Sequence, residues 1–82
     1  MFNAEQIASM IRQGLPGAEV AVRDTVGDNN HFEATIIAPQ FNDLPLVKQH
    51  QLVYATLGDA LKKEQIHALA LKTLTPAQWK AL

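Results

Sequence analysis

The chain has no cysteine. That absence excludes a thiolate nucleophile, a cysteine-based zinc site, an iron–sulfur cluster held wholly by the chain's own sulfur, and any disulfide to stabilise a small fold. It is compatible with a cytoplasmic location. A basic excess is missing too. Seven Lys plus Arg stand against eight Asp plus Glu, for a net charge of −1. Dedicated nucleic-acid binders draw affinity from phosphate neutralisation, so such a role here requires a local basic face. No apolar run is long enough to cross a bilayer, and Met1-Phe2-Asn3-Ala4-Glu5 lacks the basic-then-apolar opening of a signal peptide. The expectation is a cytoplasmic protein with no membrane partner. There is also no phosphate-binding motif, no nucleophile–base pair and no defined carboxylate pair, so no enzymatic activity is expected.

What the chain does have is apolar content, 48% over 82 residues. That suits one small domain over residues 1–82, near the lower limit of what a single core can support. Asn3 and Gln6 have the spacing of a helix-capping box. Ala4, Ile7, Ala8 and Ile11 then form one helical stripe, which Gly14, Pro16 and Gly17 end. Ala18 to Asp24 alternates as a half-buried strand. After the polar loop Thr25–Asn30, the segment His31 to Ala38 alternates again, with Phe32, Ala34 and Ile36 on one face. Pro39 ends that strand and Pro45 opens a helix running to about Leu61, with Val47, His50, Tyr54, Leu57 and Leu61 as its stripe. Ile66 to Leu74 is a third, strongly apolar strand. Thr75-Pro76-Ala77-Gln78 caps a short last helix containing Trp79. The lone aromatics Tyr54 and Trp79 are read as packing in the core or against the last helix.

The predicted order is helix, strand, strand, helix, strand, helix. A hairpin followed by a helical crossover gives a three-stranded mixed sheet, with the third strand parallel to one of the first two and helices on one face. The fold class is α/β (α+β). Gly14-Leu15-Pro16-Gly17 has the letters of the GxxG loop of KH domains. That loop joins two helices, whereas here the letters join a helix to a strand and read as a stop and turn.

The run Gly27-Asp28-Asn29-Asn30-His31-Phe32-Glu33 resembles the loop and second strand of BolA-like proteins. Phe41 to His50, then Gln51-Leu52-Val53-Tyr54, resembles their central helix entry. Ile66-His67-Ala68-Leu69 followed by Lys72-Thr73-Leu74-Thr75-Pro76-Ala77-Gln78-Trp79 is the most specific piece, and the order and spacing match from about Val20 to Trp79. The resemblance implies a fold similar to a class II KH domain. It also implies partnership with a monothiol glutaredoxin in a heterodimer sharing a [2Fe–2S] cluster, with sulfur from the glutaredoxin and glutathione. The histidine of the Ile-His-Ala-Leu motif is His67 here, and the loop ligand before the second strand corresponds to His31. Family members are linked to iron homeostasis, cluster trafficking, stress response and cell shape, and some are described as transcription regulators. Two positions depart from the pattern: Gln49 stands where the family usually has Arg, and Asp43 where it commonly has Gly. The first argues against DNA binding through that stretch; the second bears on the shape of the loop.

Under that resemblance His31 and His67 are the metal-ligand candidates. Residue type alone favours a plainer reading, a strand-end histidine bonded to backbone for His67 and a solvated or turn-stabilising loop residue for His31. His50, on the central helix, is read as structural, with a third-ligand role as the alternative. Lys62, Lys63, Lys72 and Lys80 are either a solvated face or a contact for nucleic acid or an acidic partner. No cofactor is expected in the isolated protein, which is read as a monomer or weak homodimer. The alternative to the shared-cluster adaptor is a DNA-binding transcriptional regulator of stress response or cell morphology.

Overall fold

In the computed structural model, which describes residues 2–58, 60 and 68–82, the chain opens with helix α1 (Ala4–Gly14). The capping box forms as the spacing predicts. Asn3 Oδ1 accepts from the Gln6 amide at 2.8 Å and Gln6 Oε1 accepts from the Asn3 amide at 2.9 Å, satisfying two donors that a helix start leaves without intrahelical partners. Ile7, Ala8 and Ile11 are buried and Ala4 packs against the same core. Gly14 lies inside the helix rather than beyond its end. A Cβ there would sit 2.5 Å from Thr56 Cγ2 and 2.8 Å from Thr56 Cβ. The missing side chain is what lets the second helix come close. The chain turns at Gly17, whose φ of +85° is readily reached only without a Cβ. Residues 14–17 thus join a helix to a strand.

Strand β1 (Glu19–Asp24) pairs antiparallel with β2 (His31–Ile37), and β2 pairs in parallel with β3 (Ala68–Leu74), in the order β1-β2-β3. The alternation reads through: Phe32, Ala34 and Ile36 are buried, and Val20, Val22, Leu69 and Leu71 pack against them. Residues one step out of phase point away from the helices. Arg23 and Glu33, paired in the ladder, form a cross-strand ion pair there.

After β2 comes a 3₁₀ turn (Pro39–Phe41) where the sequence pattern predicts only a strand end. It delivers Phe41 into the core, fully buried. Asp43 follows with φ +63°, a left-handed conformation that favours glycine and that aspartate tolerates better than most residues. The departure from the family's glycine is therefore met by the next best class of side chain.

Helix α2 (Leu46–Leu57) corrects two expectations. It stops at Leu57, with Gly58 at φ +49° after it, rather than running to Leu61. Its buried stripe is Gln49, Val53 and Leu57, whereas Val47 is 66% exposed and Tyr54 40%. The phase error has a physical cause: Gln49 is polar yet buried, because its side chain answers three groups. Gln49 Nε2 donates to the carbonyls of Leu44 (2.9 Å) and Phe41 (3.4 Å), and Thr73 Oγ1 donates to Gln49 Oε1 at 2.6 Å. Gln49 therefore ties α2 to the loop before it and to β3, and burial of its amide is offset by these bonds.

Thr75 and Gln78 form the second predicted capping box, opening helix α3 (Pro76–Lys80). Trp79 is not a core residue. It is 50% exposed and rims an open hollow with Glu19, Ala21, Thr35 and Ile37 on the sheet face opposite α1 and α2. Among the described residues no helix is long and apolar enough to cross a membrane.

Candidate functional site

The end of the sheet where β2 and β3 both begin carries His31. A parallel ladder brings two strand starts together, and here His31 is the register partner of Ala68. The Ala68 amide donates to the Asn30 carbonyl at 2.9 Å. The backbone just before His31 is thereby tied to the residue that follows His67 in sequence. His67 itself, with Lys62 and Lys63, lies outside the described residues.

The loop feeding His31 is built by two carboxylates. Asp24, at the end of β1, accepts from the amides of Gly27 and Asn29, both at 2.9 Å, and from that of Val26 at 3.4 Å. The tight path needs φ +77° at Gly27 and +57° at Asn29, residue types that adopt the left-handed region readily. Asp28 Oδ1 accepts from the amides of Asn30 (2.9 Å) and His31 (3.3 Å), and its Oδ2 lies 3.0 Å from His31 Nδ1. The His31 carbonyl in turn accepts from the amide and hydroxyl of Thr25. These bonds to the ionised forms hold both acids below the ordinary carboxylate range. The Asn29 amide is the main cause for Asp24, with the Gly27 and Val26 amides adding to it. For Asp28 the Asn30 amide leads, followed by the His31 imidazole. In each, desolvation is the second-largest cause and works the other way.

The His31 side chain remains 51% accessible, and its imidazole can offer a nitrogen lone pair to a metal. Among the described residues no three His, Cys, Asp or Glu side chains gather into a metal site. His50 is half-buried on α2. Lys72 projects from β3 on the face that also carries Glu19, Arg23 and Glu33, and Lys80 lies in the last turn of α3. The described part of that face is of mixed sign. In the sequence Asp24 reads only as the end of a strand and Asp28 only as part of the polar loop. The signal for a larger role is the Asp-x-x-His spacing of Asp28 and His31, which lets a carboxylate reach back to an imidazole across a turn.

Fold and loop together define a small α+β domain with a three-stranded mixed sheet and an accessible, carboxylate-held histidine at one end of it. The family model described as BolA-like protein matches residues 16–78, and the chain belongs to that family. It is similar to the acid stress protein IbaG of Escherichia coli, at 34% identity over 90% of this chain and 84% of that one. It is also similar to the DNA-binding transcriptional regulator BolA of Haemophilus influenzae, at 40% identity over 67% of this chain and 52% of that one. Among solved structures, a bolA protein homologue from Coxiella burnetii superposes with a TM-score of 0.83 and 36% identity, covering 98% of this chain and 99% of that one.

Proposed function

We propose that this protein is a non-enzymatic adaptor that binds a monothiol glutaredoxin and shares a [2Fe–2S] cluster with it, in cluster trafficking or iron and redox regulation. The observation that carries the reading is the pairing of His31 with Ala68, the residue next to His67 in sequence, at one end of the sheet of a BolA-like chain. The donor chemistry fits. A chain without cysteine brings no thiolate, so every thiolate must come from the glutaredoxin and from glutathione. His31 and His67 would hold the cluster on this side. Mixed nitrogen and sulfur ligation raises the potential of a [2Fe–2S] centre relative to all-thiolate ligation, as it does in Rieske-type centres.

The test is anaerobic reconstitution with a monothiol glutaredoxin, glutathione, iron and sulfide, read by visible absorption and circular dichroism. Wild-type protein should convert the glutaredoxin spectrum to a new one, His67→Ala should not, and the isolated protein should stay colourless. A glutaredoxin spectrum that wild-type protein leaves unchanged removes the cluster role.

A second reading is supported by the similarity to the Haemophilus influenzae protein named as a DNA-binding transcriptional regulator, of whose length the match spans about half. It makes this chain a DNA-binding regulator of stress response or cell morphology, acting through Lys62, Lys63, Lys72 and Lys80. Binding to duplex DNA should then fall steeply as salt rises. Weak binding that is flat with salt counts against it.

A further inference from the structure

The loop before β2 does more than deliver a histidine. Asp28 divides its two oxygens between two tasks: Oδ1 accepts from the backbone amides of Asn30 and His31, while Oδ2 is left for His31 Nδ1 at 3.0 Å. An ionised carboxylate can only accept, so the neutral imidazole beside it must place its proton on Nδ1. We propose that Asp28 is the positioning residue for His31, fixing the Nδ1–H tautomer and presenting the Nε2 lone pair as the metal-binding nitrogen. The proposal rests on the reading of His31 as a ligand. It adds which nitrogen binds and which residue makes it so.

Three features support a positioning role over a simple turn. The carboxylate is itself held by two amides, so it is oriented before any metal arrives. Asp24 braces the same loop from its other side through the amides of Gly27 and Asn29. The imidazole side chain is half accessible, so the ring is within reach of a partner's metal. A carboxylate on the non-ligating nitrogen of a histidine orients the ring and raises its basicity toward the metal.

Asparagine at position 28 separates the two tasks. In Asp28→Asn the amide oxygen can still accept from the backbone amides of Asn30 and His31. The other terminus becomes an NH₂ donor, which requires Nδ1 to accept and moves the imidazole proton to Nε2. The first measurement is the tautomer of His31 in the isolated full chain, by long-range ¹H–¹⁵N correlation at a pH where the ring is neutral. Wild type should be Nδ1–H and Asp28→Asn predominantly Nε2–H, with the Asn30 and His31 amide resonances retained. Asp28→Ser, too short to reach the ring, should give a mixture and serves if the asparagine variant disturbs the loop. The second measurement is formation of the [2Fe–2S] complex with a monothiol glutaredoxin and glutathione, where loss of an outer carboxylate should weaken assembly roughly tenfold to a hundredfold. A wild-type ring that is Nε2–H, or a tautomer that no substitution at position 28 alters, overturns the proposal. So does a changed tautomer with undiminished assembly. If wild type forms no complex at all, the shared-cluster reading fails, and the tautomer measurement still decides whether Asp28 sets the ring.

Discussion

The two ends of β2 are held in different ways. At the Ile37 end the strand runs into the core: Ile36, Ala38 and Phe41 are fully buried, Thr73 bonds Gln49, and the Ala38 amide donates to the Leu74 carbonyl at 3.1 Å. At the His31 end the loop is held by exposed carboxylates bonded to backbone amides, and Val26, its one large apolar side chain, is 64% exposed. Burial fixes the sheet and needs no exact geometry from any one polar atom. Hydrogen bonds accepted by Asp24 and Asp28 fix the direction of the loop and contribute little to global stability, because exposed groups exchange them for bonds to water. The core thus runs along β2 from Phe32 to Ile36, and the carboxylate-held loop with His31 lies just beyond its first residue.

The largest expected break of this contrast is Phe41→Ala. Removing a fully buried phenyl ring should cost about 3–5 kcal/mol, a large part of the stability of so short a chain. Urea unfolding should show a fall in midpoint that large, with His31-end and core probes lost together. Loss of the core probes while the loop stays ordered would show that the two ends do not share one cooperative unit.

Next in size is the Gln49–Thr73 pair. Thr73→Val removes the hydroxyl and leaves the buried Gln49 Oε1 without its donor, which should cost about 1–3 kcal/mol. Because Gln49 also serves the Leu44 and Phe41 carbonyls, Gln49→Leu should cost more than Thr73→Val. The double variant should cost less than the sum of the two. Strict additivity in that cycle would mean that the bond between them carries no coupling.

These two positions also show what the sequence revealed and where it fell short. Both capping boxes, the hairpin, the parallel third strand and the inward set Phe32, Ala34 and Ile36 follow from spacing, because caps and period-2 alternation are local rules that burial reinforces. The phase of α2 departs from the apolar pattern, because a rule that counts apolar residues takes Val47 and Tyr54 inward and leaves Gln49 out. Gln49 is inside because of partners 5, 8 and 24 residues away. The 3₁₀ turn and the inward Phe41 were missed for a related reason: three residues carry too little periodicity to announce a turn. At the site, His31 was legible through a resemblance. The carboxylate that holds it was visible only as a turn residue, since a side chain's second hydrogen bond is a matter of three dimensions.

Gly14→Ala tests the close approach of α1 and α2. A methyl group gains helix propensity of about 1 kcal/mol, but it would meet Thr56 Cγ2 at 2.5 Å and Thr56 Cβ at 2.8 Å. Thr56 Oγ1 donates to the Val53 carbonyl at 2.6 Å, so turning the side chain away gives up that bond. Overpacking of this kind costs about 1–3 kcal/mol, and the net result should be a modest loss of stability with the His31-end resonances unchanged. A gain in thermal midpoint would mean that α2 shifts freely and that the glycine is not a packing requirement.

The smallest expected effect is local and lies at the other end of the strand. Asp24 is bonded in its ionised form to the Gly27 and Asn29 amides, the Asn29 bond leading, and its folded-state pKa is lowered. A lowered carboxylate pKa means that the bonds' contribution is fully present above the unfolded value near pH ~4 and is lost as pH falls through the folded value below it. From neutral pH down to about pH 4, within the ordinary carboxylate range, the Gly27 and Asn29 amide shifts should therefore stay flat, moving together only under more acid conditions. Asp24→Ala should remove that joint titration and leave the core resonances in place. Core and loop shifts moving at one pH would mean that acid unfolds the whole sheet and that the carboxylate network is not a separable element. Loop shifts that move alone would establish that the loop bearing His31 is set by its own two acids, independently of the buried core that keeps the protein folded.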